Sequence, residues 1–587
     1  MNNFFPDPYS SKKWLPTTAD EIKKAGWDSV DVVLISGDAY VDHPSFGVSI
    51  IGRILESLGV NTVINSQPNW QDDLRDFKKF GKPNLFFGIS SGSMDSMVNH
   101  YTALKRLRSN DAYTAGGKAG FRPDYATTVY SKIVKRNFPE SIVVLGGIEA
   151  SMRRLCHYDY WSDRVFPSIL VDSKADILVY GMGEQAIKVI AEVLKQGGSV
   201  EDLHKIRQIA YFSKHKEHHF PSHSTIVLPS YEACLSSKEH FAEAFRIFEI
   251  ESNKTNPSVL IQPHGDGFVI VNPPFPVPST EEIDYVYALP YVRGPHPKYL
   301  KRGAIPAWDM IKNSINIHRG CFGGCSFCAI AAHQGKQIVS RSKDSILKEV
   351  ELVVDAPDFN GHITDLGGPS ANMYCMKGEN EMQCNDCVRP SCIFPSVCKN
   401  LNTNHFPLID LYREVREIKQ VKHVTIGSGI RYDMLINANP ERVKKNGLGE
   451  YLENLIRYHI SGRLKVAPEH TSEAVLRLMR KPSFELFKSF KKIFDDINRK
   501  FGLKQQLIPY FISSHPASTI ESMANLAEET SSLGYRLEQI QDFTPTPMTL
   551  STTIYYCGFD PYTQKPVYTA KEKQEKQLQQ TFFFWYK

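Results

Sequence analysis

Long apolar runs are missing from this chain. Nowhere do the ~20 consecutive apolar residues of a membrane-crossing helix occur, so no membrane association is expected. A basic start followed by an apolar stretch is missing as well: Met1-Asn2-Asn3-Phe4-Phe5-Pro6-Asp7-Pro8 has neither, and no signal peptide is read there. Charge of one sign is scarce. Against 64 Asp+Glu stand 69 Lys+Arg, and a net +5 over 587 residues is too little to argue for nucleic acid by itself. With 42% hydrophobic and 23% charged residues, disorder throughout is excluded. The expectation is a soluble, cytoplasmic protein of about four domain equivalents, two of which one large barrel could absorb. Cysteine is sparse except in one place: eight of the 11 lie between Cys321 and Cys398, while Cys156, Cys234 and Cys557 are isolated. A large intracellular chain does not need disulfides, so the crowding points to metal or redox chemistry.

Residues 30–190 read as alternating strands and helices. Apolar runs at Val32-Val33-Leu34-Ile35, Leu85-Phe86-Phe87, Ile142-Val143-Val144-Leu145 and Ile177-Leu178-Val179-Tyr180 are the strands. Val48, Ile51, Leu55 and Leu58 repeat at helical spacing and end at Gly59. This alternation predicts an open, mostly parallel sheet with helices on both faces, Rossmann-like, within residues 1–255 and with extra helical material near its end. Ten prolines within 257–306 mark a connection between domains, taken as 256–306. A second alternating series follows, with strands expected at 314–318, 362–366, 423–427, 464–467, 507–512 and 537–543. Six β/α units favour a partial barrel over 307–550, whose active face is built from the loops after the strands. Residues 551–587 are read as the start of a C-terminal segment that is expected to be truncated.

The first barrel strand leads into Cys321-Phe322-Gly323-Gly324-Cys325-Ser326-Phe327-Cys328. Close thiols with small residues between them can curl round a soft cluster. The number three is informative, because structural zinc and most iron–sulfur clusters take four protein ligands. Three leave one iron open to a small molecule. A structural zinc loop completed by His318 or His333 is the bland alternative. Asp365-Leu366-Gly367-Gly368-Pro369 ends the second strand, Lys465-Val466-Ala467-Pro468-Glu469-His470 the fourth, and Ser513 the fifth. Glu469 and Ser513 are candidates for contact with a ribose or a substrate, with packing roles as the alternative.

Cys375, Cys384, Cys387, Cys392 and Cys398 crowd an insertion at 369–405, far longer than the usual connection of ~2–6 residues. Ordering such a loop costs entropy that metal ligation can offset. Five thiols offer four ligands with one to spare, for a second iron–sulfur cluster or a zinc ion; the spacing leaves the two open.

Other patterns are decoys. Gly181-Met182-Gly183-Glu184-Gln185-Ala186 fits a dinucleotide fingerprint, but it closes the α/β series and puts Glu184 where a pyrophosphate would dock. Cys156-His157-Tyr158-Asp159 is read as structural. Residues 101–136 carry eight Lys/Arg (Lys105, Arg106, Arg108, Lys118, Arg122, Lys132, Lys135, Arg136) against Asp111 and Asp124. RNA could sit on such a patch, yet a solvated face is the commoner meaning and RNA is not favoured.

The spacing of Cys321, Cys325 and Cys328, with Phe327 before the last, resembles the radical S-adenosylmethionine superfamily. The resemblance implies a [4Fe–4S] cluster on these three thiolates, S-adenosylmethionine on its open iron, and reductive cleavage to a 5′-deoxyadenosyl radical. It also implies that Phe327, Gly367 and Gly368 belong to the cofactor site; Pro369 replaces the Glu of the family's GGE motif, so that contact falls to the main chain. A reductant such as flavodoxin or ferredoxin is implied too. Leu145-Gly146-Gly147-Ile148 with the segment 176–184 resembles the domain that precedes many cobalamin-dependent radical enzymes. Asp42-His43-Pro44-Ser45-Phe46-Gly47 has the wrong offsets for their D-x-H-x-x-G cobalt motif, so the domain is read as a cobalamin-type fold without that ligand. His157-Tyr158-Asp159-Tyr160-Trp161, His318-Arg319-Gly320-Cys321, Ser340-Arg341-Ser342 and Ala467-Pro468-Glu469-His470 narrow the resemblance to the YgiQ family, over nearly the whole chain. The substrate is not implied. The alternative from another class is a non-catalytic zinc protein that binds RNA or a protein partner.

Overall fold

The computed structural model describes residues 13–385, 387–436 and 439–586. The chain forms two compact units, one running to Ser252 and taking in Asn256–Lys312, the other comprising Asn253–Thr255 and Asn313–Lys587.

The first unit is built on a nine-stranded sheet. Across it the strands run Thr225–Val227, Val259–His264, Gly267–Val271, Ile209–Ser213, Ile177–Val179, Val143–Leu145, Phe86–Ser90, Val32–Ser36 and Thr62–Ser66. Five strand pairs are parallel and three antiparallel. The run Val32–Ser36 is buried throughout because both faces of the sheet are covered. Val32, Leu34 and Ile64 pack with Ile50, Ile54, Ile187 and Ile190 of the helices Gly47–Ser57 and Glu184–Lys195. Val33 and Ile35 alternate to the other face, where Ala126–Asn137 lies against the strands Phe86–Ser90 and Val143–Leu145.

The proline-rich stretch 256–306 is not the connection expected from its composition. It supplies two strands of the sheet, Val259–His264 and Gly267–Val271, and a short strand, Gly294–Pro295, that pairs with Val41–Asp42. The prolines gather mainly between these elements, where no ladder hydrogen bond is lost.

In the second unit, strands and helices alternate in six rounds. Two parallel arcs carry the strands in chain order. In the first, Ser314–Asn316 pairs with Asp365–Gly367 and His362–Ile363 with His423–Val424. In the second, Arg463–Glu469 pairs with Gln506–Ser513, which pairs with Gln539–Asp542. Together they make the partial barrel. The helix Phe484–Phe501 shows the local logic: Ser483 caps it by accepting from the Glu485 N–H, and Phe484, Phe487, Phe490 and Phe494 bury one stripe that meets Tyr432, Tyr535 and Phe511. The segment after 550 folds back on this unit. Gln579 Oε1 accepts from the Ser514 N–H (2.8 Å) and from Ser518 Oγ (2.9 Å), so the helix Lys573–Thr581 is part of the same body as the barrel.

Candidate functional site

The three-thiol motif hangs on the loop after the first barrel strand and is shaped by two close approaches. A Cβ at Gly323 would lie 2.6 Å from Arg431 Nη1 and 3.2 Å from Cys321 Sγ; one at Gly324 would lie 2.2 Å from the Pro390 carbonyl oxygen. The loop also curls on itself, the Cys328 N–H donating to the Cys325 carbonyl (3.1 Å). All three cysteines are partly exposed as residues, while Cys321 and Cys328 sit deep among protein atoms. Burial, with the two neighbouring thiols adding to it, pushes Cys328 up to about 12 and raises Cys321 as well. Such thiols ionise when a cation arrives to take the charge.

Donors already aim at the sulfurs. The Gly323 N–H donates to Cys321 Sγ (3.4 Å), and Arg431 Nη1 to Cys325 Sγ (3.5 Å). Arg431 is 7% exposed and anchored by a fork, Nε to Asp433 Oδ1 (3.0 Å) and Nη2 to Asp433 Oδ2 (2.6 Å). Asn372 fixes its backbone, Oδ1 accepting from the Arg431 N–H (2.8 Å). Neither Arg431 nor Asp433 was picked out by the sequence. Their signal is a charged pair two residues apart just after a barrel strand, paired to a motif 106 residues away.

The remaining expected residues sort as follows. Phe327 stands edge-on to His515, centroids 6.1 Å apart. Gly367 ends the second strand and its carbonyl accepts from the Ile317 N–H (2.8 Å). Gly368 packs face to face with His318, whose ring a Cβ would meet at 2.7 Å; His318 Nε2 donates to the Ser370 carbonyl (3.0 Å), and burial lowers its pKa to about 4. His318 is thereby turned toward main chain rather than into a fourth metal position. Glu469 ends the fourth strand just past a bulge, at φ 71°, 6% exposed. Its Oε1 lies 3.5 Å from Lys481 Nζ while its Oε2 is buried without a hydrogen-bond partner. Cys328 and Arg431 both lie within electrostatic reach of this carboxylate, and burial raises its pKa. Ser513 is fully buried and gives its hydroxyl to Asp542.

The five later thiols divide. Cys384, Cys387, Cys392 and Cys398 lie within electrostatic range of one another. Cys375 is exposed, at φ 59°, its N–H bonded to Ser340 Oγ (2.8 Å), and interacts with none of the four. Among the described residues no three of His, Cys, Asp or Glu converge on a point fit for a single metal ion.

In the first unit, ligands of open α/β sheets bind where the strand order reverses, here between Val32–Ser36 and Phe86–Ser90. Arg122 fills that crevice. Its Nε donates to Asp111 Oδ2 (3.0 Å), its Nη2 to Asp38 Oδ1 (2.9 Å) and its Nη1 to the Ser91 carbonyl (2.8 Å). His43 is buried, with Nδ1 accepting from the Ser45 N–H (3.1 Å) and Nε2 3.2 Å from Arg293 Nη1. These residues do not fit a cobalt ligand. Cys156 is paired with Gln262, accepting from Nε2 at Sγ (3.0 Å) and donating its N–H to Oε1 (2.8 Å), a packing role. The basic stretch 101–136 is partly neutralised: besides Arg122, Lys132 pairs with Asp172 (2.6 Å) and Lys135 with Asp176 (2.6 Å). No helix among the described residues is long and apolar enough to cross a membrane.

Residues 14–314 match the radical SAM N-terminal family model, 315–499 the radical SAM superfamily model, and 538–587 a domain of unknown function, DUF3362. The two units are thus those of the radical S-adenosylmethionine class, which implies a four-iron cluster and S-adenosylmethionine. A UPF0313 protein of Bacteroides thetaiotaomicron is 57% identical over 590 residues, covering 99% of this chain and 95% of its own. One from Porphyromonas gingivalis is 55% identical over 574 residues, covering 98% and 90%. The chain belongs to the UPF0313 family of radical S-adenosylmethionine proteins. A solved structure of the radical S-adenosylmethionine methyltransferase TsrM from Kitasatospora setae, with cobalamin and a [4Fe-4S] cluster bound, matches at 12% identity and a TM-score of 0.47, covering 89% of this chain and 74% of that one.

Proposed function

We propose that this chain is a radical S-adenosylmethionine enzyme in which Cys321, Cys325 and Cys328 hold the four-iron cluster and leave one iron to S-adenosylmethionine. The observation that carries the proposal is one loop bringing three thiols within electrostatic reach of one another, with donors already turned toward Cys321 and Cys325. Held by Cys321, Cys325 and Cys328, such a cluster would supply one-electron reductive cleavage of the sulfonium and, through it, radical abstraction of hydrogen from a substrate.

The protein's own residues bind, orient and shield. Gly323 N–H and Arg431 Nη1 stabilise sulfur in its anionic form, and Asp433 keeps the guanidinium from turning away. The main chain at Gly367 and Gly368 takes the methionine amino group. Glu469 Oε2, buried and unpaired, is an acceptor for a ribose hydroxyl or an ammonium group. Phe327 and His515 line the wall and exclude water. The electron comes from a low-potential reductant of the flavodoxin or ferredoxin kind. RNA is a weaker choice of substrate, since the basic stretch spends Arg122, Lys132 and Lys135 on internal pairs.

The test is anaerobic reconstitution with iron and sulfide, then dithionite and S-adenosylmethionine, with 5′-deoxyadenosine read by mass spectrometry. Wild type should form it, and Cys321→Ala, Cys325→Ala and Cys328→Ala should each form none. A cluster-loaded wild type that leaves S-adenosylmethionine intact, or a colourless protein that retains zinc and takes up no iron, overturns the proposal.

A further inference from the structure

We infer that Cys384, Cys387, Cys392 and Cys398 are the four ligands of a second iron–sulfur cluster, with Cys375 outside the set. The insertion between the strand Asp365–Gly367 and the helix Phe406–Glu417 holds little regular structure, a five-residue helix (Glu381–Asn385) and the short turn Ala371–Met373. Its two ends are tied together: Gly378 bridges Leu401, the Glu379 N–H donates to the Asn400 carbonyl (2.8 Å), and the Asn402 N–H to that of Lys377 (2.9 Å). Between these ties about twenty residues have a small apolar filling, in which Cys392 and Cys398 pack beside Ile393, Leu401 and Met376.

The sulfurs are placed by specific contacts. Cys384 Sγ lies against Gly378, where a Cβ would come within 2.3 Å of it, and accepts from Asn400 Nδ2 (3.3 Å). The Cys387 N–H donates to the Cys384 carbonyl (3.2 Å), and the Cys398 N–H to that of Cys392 (2.7 Å), so the four thiols come as two local pairs. Lys336, 8% exposed, reaches in from outside the insertion and donates Nζ to the carbonyls of Cys387 (3.1 Å) and Arg389 (3.0 Å). A buried ammonium within electrostatic reach of Cys384 and Cys392 suits an anionic centre.

One observation favours a cluster over zinc: the two thiol loops share a wall. The Cys392 N–H donates to the carbonyl of Phe322, the residue beside Cys321 (3.0 Å), and Gly324 abuts the Pro390 carbonyl. One hydrogen bond thus links the two backbones, a short path for an electron between two redox centres and of no use to a redox-silent ion.

The inference stands apart from S-adenosylmethionine cleavage and is tested without it. Iron, sulfide and zinc are measured on the full chain after anaerobic reconstitution, with electron paramagnetic resonance of the reduced protein. Wild type should hold about eight irons, Cys321→Ala/Cys325→Ala/Cys328→Ala about four, and Cys375→Ala about eight. Cys384→Ser/Cys392→Ser should hold about four and keep the signal of the first cluster, which also shows that it is folded. About four irons in wild type with one zinc lost from Cys384→Ser/Cys392→Ser overturns the assignment to iron and sulfide. Loss of about four irons from Cys375→Ala overturns the ligand set.

Discussion

Each unit puts a buried arginine at the carboxyl ends of parallel strands, and the two are used in opposite ways. Arg122 spends all three nitrogens on Asp38, Asp111 and the Ser91 carbonyl, which closes the crevice of the first sheet. Arg431 spends two on Asp433 and turns the third to Cys325, beside an unpaired Glu469 oxygen and two more thiols. Saturation marks a structural plug. A nitrogen left over, among deep thiols that want a cation, marks a place for a ligand.

Acid should separate the units most strongly. In the second, burial lowers His318, His405 and His459 to about 4 and His470 and His515 to about 3; in the first, His157 falls to about 3 and His296 to about 4, and His204 and His264 are lowered less. Each binds its proton more weakly folded than unfolded. Its stabilisation is full above the ordinary histidine value of 6.5 and is lost as pH falls toward the folded values. Between about pH 6.5 and pH 4 the second unit should lose more than ~5 kcal/mol and unfold first. Pulse proteolysis with cut sites assigned by mass spectrometry reads the order; the first unit opening first contradicts it.

Arg122→Met comes next, since it strands Asp38 and Asp111 in the interior. It should cost roughly 3–5 kcal/mol of the first unit's stability by denaturant titration while the iron content of the folded fraction stays unchanged. If iron is lost selectively, the plug has a role at the cluster. Arg431→Lys keeps a cation for Asp433 but loses the reach to sulfur. The cluster should assemble, its midpoint potential fall, and 5′-deoxyadenosine formation slow about tenfold, equivalent to ~1.4 kcal/mol. An unchanged potential would make Arg431 another plug. Glu469→Gln should do least to the fold, changing its stability by under ~1 kcal/mol because relief of a buried charge is offset by the loss of the Lys481 partner, while weakening S-adenosylmethionine binding in calorimetric titration. Destabilisation with unchanged binding would assign Glu469 to Lys481 alone.

Much of this frame was legible in the sequence. Val32-Val33-Leu34-Ile35 is a strand of a sheet covered on both faces, and an uninterrupted apolar run is what such a strand needs. Cys321, Cys325 and Cys328 were legible because one loop carries all three. In residues 256–306 proline density masks the apolar hairpin at 259–271 that the sheet recruits. Arg431 and Asp433 were hidden for another reason: their meaning lies in Cys325, far off in sequence, and a polar pair after a strand end looks like any solvated loop until burial is known. The five later cysteines were legible as a crowd; that Cys375 stands apart from the other four is visible only in the fold, which turns it to Ser340.

If three sulfurs leave one iron for S-adenosylmethionine, the nucleotide must perturb that cluster when it binds. On adding S-adenosylmethionine to the reduced, reconstituted protein, electron paramagnetic resonance should show shifted g-values in wild type and in Cys384→Ser/Cys392→Ser alike, because the nucleotide meets the first cluster only. A spectrum that does not change on addition, with the first cluster present in full, would contradict it.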